Sequence, residues 1–421
     1  MLKGIIVAVR LEDTNIDKFN QELEELKNLA LACDIEIIDE VTQVLPSFNN
    51  KTYVGKGKVL EIKQIAEALE AEVVIFNDEL SAEQISNLDN ALEITIYDRT
   101  YLILEIFKKR AKTKEAIIQV EMASLSYLLP RLTGLRSGMS RQRGTGGGFA
   151  HGRGAGETKL ELDRRITNDK IATLKNELKE LAKKRKQQRI KRNNSITKTV
   201  CLVGYTNSGK SSLLNILLRN SNTYNKEKDV LQKDMLFATL QTATRRVDTI
   251  LGSFILTDTV GFIEKLPHML IEAFKSTLEE IKEADLLIHV VDASNPKYVD
   301  QINATNNVLK DLKVENIPII YAFNKIDKVD NYLYIPNDYP EALRISVKEN
   351  INIDRLIDLI INKLYADYKE VTFAISYDKQ NILYKLKNQV ISSNVKYQEK
   401  EVLLQCKASS SVIEKYKEYK V

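Results

Sequence analysis

Residues able to hold a phosphate come first. Gly204-Tyr205-Thr206-Asn207-Ser208-Gly209-Lys210-Ser211 fits GxxxxGK[ST] and lies between an apolar run, Val200–Val203, and an apolar helical pattern at Leu213, Leu214, Ile216 and Leu217. In that setting the loop amides and the helix start present partial positive charge to phosphates, Lys210 reaches the terminal phosphates, and the Ser211 hydroxyl ligates Mg²⁺. Downstream, Asp258-Thr259-Val260-Gly261 closes the next apolar run as DxxG. Asp258 is expected to hold the metal, usually through water, and the Gly261 amide to sense the γ-phosphate. Between the two motifs, Phe237-Ala238-Thr239-Leu240-Gln241 lies in a stretch of little periodicity. There Thr239 is the candidate whose hydroxyl completes the Mg²⁺ shell only with a triphosphate, with Thr242 and Thr244 as rivals on spacing. Lys210, Thr239 and Gly261 are the expected catalytic set, and Ser211, Thr239 and Asp258 the expected metal set.

Base identity is read later. Asn324-Lys325-Ile326-Asp327 follows a run ending in Phe323. The Asp327 carboxylate can accept both the N1 and N2 protons of guanine, a donor pair that adenine lacks. Leaving that charge unmatched against adenine costs on the order of several kcal/mol. Asn324 can bridge base and phosphate loop, and the Lys325 stem can cover the purine face. Ser346-Val347-Lys348, after the next strand, is placed to give an amide to guanine O6. These elements in this order predict a guanine-nucleotide site. Where Ras-like proteins carry a water-orienting glutamine after the DxxG glycine, this chain has Phe262, so hydrolysis by the isolated protein should be slow.

The elements that must position these residues form an α/β protein in four parts. Residues 1–107 alternate β-branched runs (Ile5–Val9, Ile35–Ile38, Val73–Phe76, Ile94–Tyr97) with helical stretches, predicting a small α/β domain with a mainly parallel sheet. In 108–198, Ile118, Met122, Leu125 and Leu129 mark one helix stopped by Pro130. Ile171, Leu174, Leu178 and Leu181 mark a second from about Thr158 to Arg192, together an antiparallel hairpin. The P-loop domain takes 199–366, and 367–421 is a small α+β module with strand-like runs Val371–Ile375 and Val402–Cys406.

The 421 residues carry a net charge of only +4, but 108–198 alone holds 24 Lys/Arg against 8 Asp/Glu, leaving −12 for the remainder. Gly134 to Gly156 concentrates nine of the 16 glycines, interleaved with arginines at 136, 141, 143 and 153 and preceded by Arg131. Arginine forks grip phosphates, and glycines permit close backbone approach, so this middle reads as an RNA-binding element. The 43% apolar and 29% charged composition excludes a fibre, wholesale disorder or a disulfide scaffold. No apolar run is long enough to span a membrane, leaving at most weak peripheral association. Three scattered cysteines and three scattered histidines have no metal spacing, and the former indicate a reducing, cytoplasmic setting.

The nucleotide motifs do not stand alone. Tyr53-Val54-Gly55-Lys56-Gly57-Lys58, Asn77-Asp78-Glu79-Leu80-Ser81, Asp98-Arg99-Thr100-Tyr101 through Phe107, Gln119-Val120-Glu121, Leu129-Pro130-Arg131-Leu132 and Gly152-Arg153-Gly154-Ala155-Gly156-Glu157 all belong to a wider pattern, as do Phe237-Ala238-Thr239-Leu240 and Asp258 to Phe262. On these residues the chain, over about 1–366, resembles the HflX family of ribosome-binding GTPases. That resemblance favours Thr239 over its neighbours. It implies a GTP-hydrolysing factor, stimulated by ribosomes, that associates with the large ribosomal subunit and its RNA and splits or rescues stalled or idle ribosomes. One departure is Gln241-Thr242, where the family has Asp-Pro, and losing the proline loosens that loop. Nothing in the sequence requires a partner helix, so a monomer is expected. A ribosome-assembly GTPase and a general RNA-remodelling NTPase are the alternatives.

Overall fold

The computed structural model describes the chain except residues 134–152, 194–196, 221–236, 238–242, 250, 251, 264, 266, 268, 271–273, 275–277, 279, 315, 330–334, 336–338 and 340; side chains at 133, 153–160, 185–193, 243, 392 and 393 are likewise not described. The chain divides into two compact units. The first comprises Met1–Leu181 with Met235–Phe237 and Leu266–Phe274; the second comprises Ala182–Asp234, Ala238–Lys265 and Lys275–Val421.

The first unit is built on β1 (Leu2–Leu11), α1 (Ile16–Ala32), β2 (Ile35–Leu45), α2 (Lys56–Ala68), β3 (Val73–Phe76), α3 (Ala82–Leu92) and β4 (Thr95–Asp98). Its sheet has the order β2-β1-β3-β4, and every pairing is parallel. Ile5 to Ala8 and Val73 to Phe76 are buried without alternation, as expected of strands with helices on both faces. The helix starts are set locally. Asn15 caps α1, Ser81 and Gln84 form a capping box on α3, and Asp98 caps α4 (Arg99–Arg110), a helix with no counterpart in the sequence expectations. Then come α5 (Lys114–Leu128), a 3₁₀ turn over Leu129–Thr133, and the long α6 (Arg153–Asn193). Ion pairs Lys114–Glu177 and Lys170–Glu121 run in opposite chain directions, so α5 and α6 are antiparallel.

Two details differ from expectation. Helix α6 begins at Arg153, ahead of Thr158, so Arg153, Gly154 and Gly156 are helical. The cost of about 1 kcal/mol per helical glycine is offset by the helix formers that follow. Arg131 is no loop arginine: it is 5% exposed and bonds Tyr127 O at 2.6 Å and Leu80 O at 2.7 Å, with its guanidinium 3.6 Å from the Tyr127 ring centroid. Its Nη2 also lies 3.5 Å from Asp98 Oδ2. Asp98 in turn accepts from Leu80 N, Tyr101 N and Tyr127 Oη, so one carboxylate joins β4, α4, α5 and the 3₁₀ turn. A buried cation needs such partners, and that need draws Arg131 inward. The arginines at 136, 141 and 143 lie outside the described residues.

The second unit carries β5 (Lys198–Val203), α7 (Lys210–Arg219), β6 (Ala243–Thr249), β7 (Gly252–Asp258), β8 (Leu286–Asp292), α8 (Tyr298–Asp311), β9 (Ile319–Asn324), β10 (Ala342–Arg344) and α9 (Ile353–Leu364). The sheet order is β10-β9-β8-β5-β7-β6, parallel throughout except for the β6–β7 pair. It is the mainly parallel P-loop sheet. β6 has no apolar run to announce it, because of its strand residues Val247 is the large one taken fully into the core. The core joins Val200, Leu202 and Ile288 to Leu213 and Leu217 of α7 and Leu356 and Ile360 of α9.

The C-terminal part follows with β11 (Tyr368–Ser376), α10 (Gln380–Lys387), β12 (Ile391–Tyr397), β13 (Glu401–Ser409) and α11 (Ser410–Lys415). Its antiparallel sheet, ordered β11-β13-β12, contains one strand more than the two apolar runs indicated. It has its own core around Phe373, Leu386 and Leu404, while Ile391 of β12 joins the core of the larger sheet and Tyr365 Oη bonds Ser253 O at 2.6 Å. Among the described residues no helix is long and apolar enough to cross a membrane.

Candidate nucleotide and metal site

The site gathers at the carboxyl ends of β5, β7, β8 and β9, where open parallel sheets place ligands. Two glycines shape the phosphate loop. Gly204 has φ +144, and a Cβ there would meet Val290 O at 2.3 Å; Gly209 has φ +98, and a Cβ would meet Asn324 Nδ2 at 2.3 Å. Neither position tolerates a side chain. Lys210 is 6% exposed and donates to Gly204 O at 2.9 Å and Tyr205 O at 2.7 Å, across the mouth of its own loop. Burial pushes its ammonium down to about 8, with Asp258 opposing the shift. His289 on β8 lies beneath, and burial, with the Lys210 charge, lowers it to about 3, so it stays a neutral ring.

Ser211 Oγ donates to Asp258 Oδ2 at 2.7 Å. Two of the three expected metal ligands, 47 residues apart, therefore converge. Hydroxyl and carboxylate oxygens form a hard donor set that suits Mg²⁺, which takes one or two protein oxygens and completes its octahedron with phosphate and water. Among the described residues no group of three or more His, Cys, Asp or Glu side chains could cage a metal without such help. Thr259 Oγ1 donates to Leu202 O at 2.6 Å, locking the turn after β7 to β5. A Cβ on Gly261 would stand 2.9 Å from Thr206 Cα and 3.0 Å from Lys210 Nζ, so the DxxG glycine rests directly on the phosphate-loop lysine. Phe262 pairs its backbone with the same loop, with Thr206 N bonding Phe262 O at 2.7 Å and Phe262 N bonding Gly204 O at 3.1 Å, and its ring is buried.

The base-reading residues are tied to that loop. Asn324 is 3% exposed, donates from Nδ2 to Ser208 O at 2.9 Å, and accepts at Oδ1 from Val347 N at 3.1 Å. Lys325 reaches Asn207 O at 2.8 Å and pairs with Asp292 Oδ2 at 2.7 Å. Asp327 accepts from Ser346 Oγ at 2.5 Å and is otherwise open to solvent, while Ile326 is half-buried beside it. Asp292 was not singled out from the sequence, although it is the polar residue ending the apolar run of β8. Val347 N is engaged by Asn324, and Lys348 is exposed.

Of the segment before DxxG, residues 238–242, with Ala238, Thr239, Leu240, Gln241 and Thr242, lie outside the described residues. Phe237 belongs to the first unit, where its buried ring packs edge-to-face on Phe107 at 4.7 Å, and Phe274 does the same at 5.1 Å. Thr244 lies in β6, with its Oγ1 3.4 Å from Thr257 Oγ1.

Residues 20–108 match the family model of the GTP-binding GTPase N-terminal region, 110–192 that of the GTP-binding GTPase middle region, and 199–325 that of the 50S ribosome-binding GTPase. The GTPase HflX of Caldanaerobacter subterraneus subsp. tengcongensis is 44% identical, with 90% of this chain and 84% of that protein covered. The GTPase HflX of Escherichia coli K12 is 37% identical, covering 85% and 83%. A solved GTP-binding protein of the archaeon Sulfolobus solfataricus, in complex with GDP, is 24% identical with a TM-score of 0.44, covering 86% of this chain and 99% of that one. With curated relatives matched over most of both lengths, this chain belongs to the HflX family of GTPases.

Proposed function

We propose that this chain binds GTP with Mg²⁺, hydrolyses it on the large ribosomal subunit, and uses the nucleotide state to split or rescue stalled or idle ribosomes. It works as a monomer in the cytoplasm. The observation that carries the reading is the convergence of Lys210, Ser211, Asp258 and Asn324 on one phosphate loop. The +16 middle supplies the grip on ribosomal RNA. The four parts, 1–107, 108–198, 199–366 and 367–421, divide these tasks.

Lys210 leaves its two loop carbonyls for the β- and γ-phosphate oxygens, and phosphate charge holds its proton more firmly. Ser211 and Asp258, with Thr239, would hold Mg²⁺, which neutralises charge developing on the β- and γ-oxygens. The amide of Gly261, the glycine beside Lys210 Nζ, reports whether the γ-phosphate is present. Asp327 accepts from guanine N1 and N2, and with Val347 N engaged, the amide of Lys348 takes O6. Phe262 offers no group to align water, so an unassisted site turns over slowly. GTP favours one docked state by no more than its affinity difference between states, and hydrolysis releases it.

The test is GTP turnover with and without purified large subunits. A rise of about tenfold or more, worth ~1.4 kcal/mol of barrier, is expected. Unchanged turnover overturns the ribosome assignment, and equal stimulation by free structured RNA supports an RNA-remodelling enzyme instead.

A further inference from the structure

The C-terminal module holds three tyrosine rings in solvent: Tyr377 is 41% exposed, and Tyr384 and Tyr397 are each 71% exposed. The same module buries Tyr416 in its own core, so it is capable of covering a ring of that size. The exposed three are also arranged. Tyr377 opens the 3₁₀ turn Tyr377–Lys379 that runs directly into α10, and α10 carries Tyr384. Leu386 takes the opposite side, into the core. Tyr377 Oη donates to Gln398 O at 2.7 Å, which ties that turn to the β12–β13 hairpin beside Tyr397.

Charge adds a second feature. Five lysines lie between residues 376 and 400 against two acids, Asp378 and Glu399. An aliphatic partner surface would not need this lysine density, and an acidic protein would not need bare aromatic faces. Bases offer π-faces for tyrosine, and phosphates at the spacing of the strand offer charge for lysine.

We propose that Tyr377, Tyr384 and Tyr397 form a stacking surface for the unpaired bases of a single-stranded polynucleotide, whose phosphates the neighbouring lysines hold. This surface is separate from the basic hairpin and does not depend on the ribosome reading.

The test uses the full chain with GDP and 5′-labelled dodecamers of oligouridylate and oligothymidylate, followed by fluorescence anisotropy at low salt. Because stacking tolerates any base and either sugar, both strands should respond alike. Tyr384→Ala with Tyr397→Ala should weaken binding about tenfold or more, and Tyr384→Phe with Tyr397→Phe, which keep the rings, should stay within about twofold. GTP turnover and melting temperature of both pairs should match the parent, since neither side chain is in a core. With 5-iodouridine in the strand, light-induced crosslinks should fall on 377–398. Parental affinity in the alanine pair, with or without loss of a protein partner, overturns the proposal, as do crosslinks confined to 108–198.

Discussion

Replacing Asn324 by alanine removes a side chain that joins the phosphate loop, at Ser208, to the loop after β10, at Val347. Of its two hydrogen bonds, the one of 2.9 Å to Ser208 O is buried and the one of 3.1 Å from Val347 N is half-buried. Alanine leaves a carbonyl and an amide without partners, each costing about 1–3 kcal/mol where water does not reach. A water entering the space left by the amide would recover part of this, so ~2 kcal/mol is the expected floor. If that loss is felt as mis-set loops, GDP affinity falls by about 30-fold or more. Asn324→Asp separates the two bonds. It still accepts from Val347 N but sets an anion against Ser208 O and the phosphates, so its affinity should be no better than that of alanine. Titration with a fluorescent GDP analogue measures both, and urea unfolding shows how much of the change is global. Either variant binding within threefold of the parent would refute the bridging role.

Three further outcomes follow from the same geometry. Gly209→Ala should abolish nucleotide binding, because its Cβ meets Asn324 Nδ2 at 2.3 Å and its φ of +98 excludes side chains; a calorimetric titration that still shows binding contradicts this. Lys210, lowered by burial to about 8, is charged below that pH and neutral above it, and bound phosphate raises it again. Binding therefore takes up a proton above about pH 8, so Kd should be flat from 6.5 to 7.5 and climb by up to about tenfold per pH unit beyond 8, measured by calorimetry in buffers of differing ionisation heat. In the first unit, Arg131→Met strands the Asp98 carboxylate and should cost about 3–5 kcal/mol in urea unfolding, while paired Arg131→Met with Asp98→Asn should recover part of it.

The phosphate and guanine motifs were legible because each is a short run whose chemistry is local: a glycine turn before a helix, an acid after a strand. The strands that carry them are continuous apolar runs, and in the first unit β3 falls on the expected residues. Elements whose identity depends on neighbours were not visible. β6 pairs antiparallel to β7 with a polar sequence, and its place comes from hydrogen bonding along an edge rather than from apolar periodicity. α4 begins where Asp98 can cap it, and that carboxylate is buried only because three other elements surround it.

Arg131 marks the same boundary at a single residue. Beside a glycine- and arginine-rich stretch its sequence context reads as a phosphate grip, yet Tyr127, Leu80 and Asp98, as much as 51 residues away along the chain, take it into the interior. Asp292 reaches Lys325 from another strand in the same way. What residue order determined was the chemistry each motif can perform and the strands that present it. What tertiary structure decided was which charges meet, because an ion pair or a shared carboxylate depends on distance in space, and the chain leaves that distance open until the sheets close.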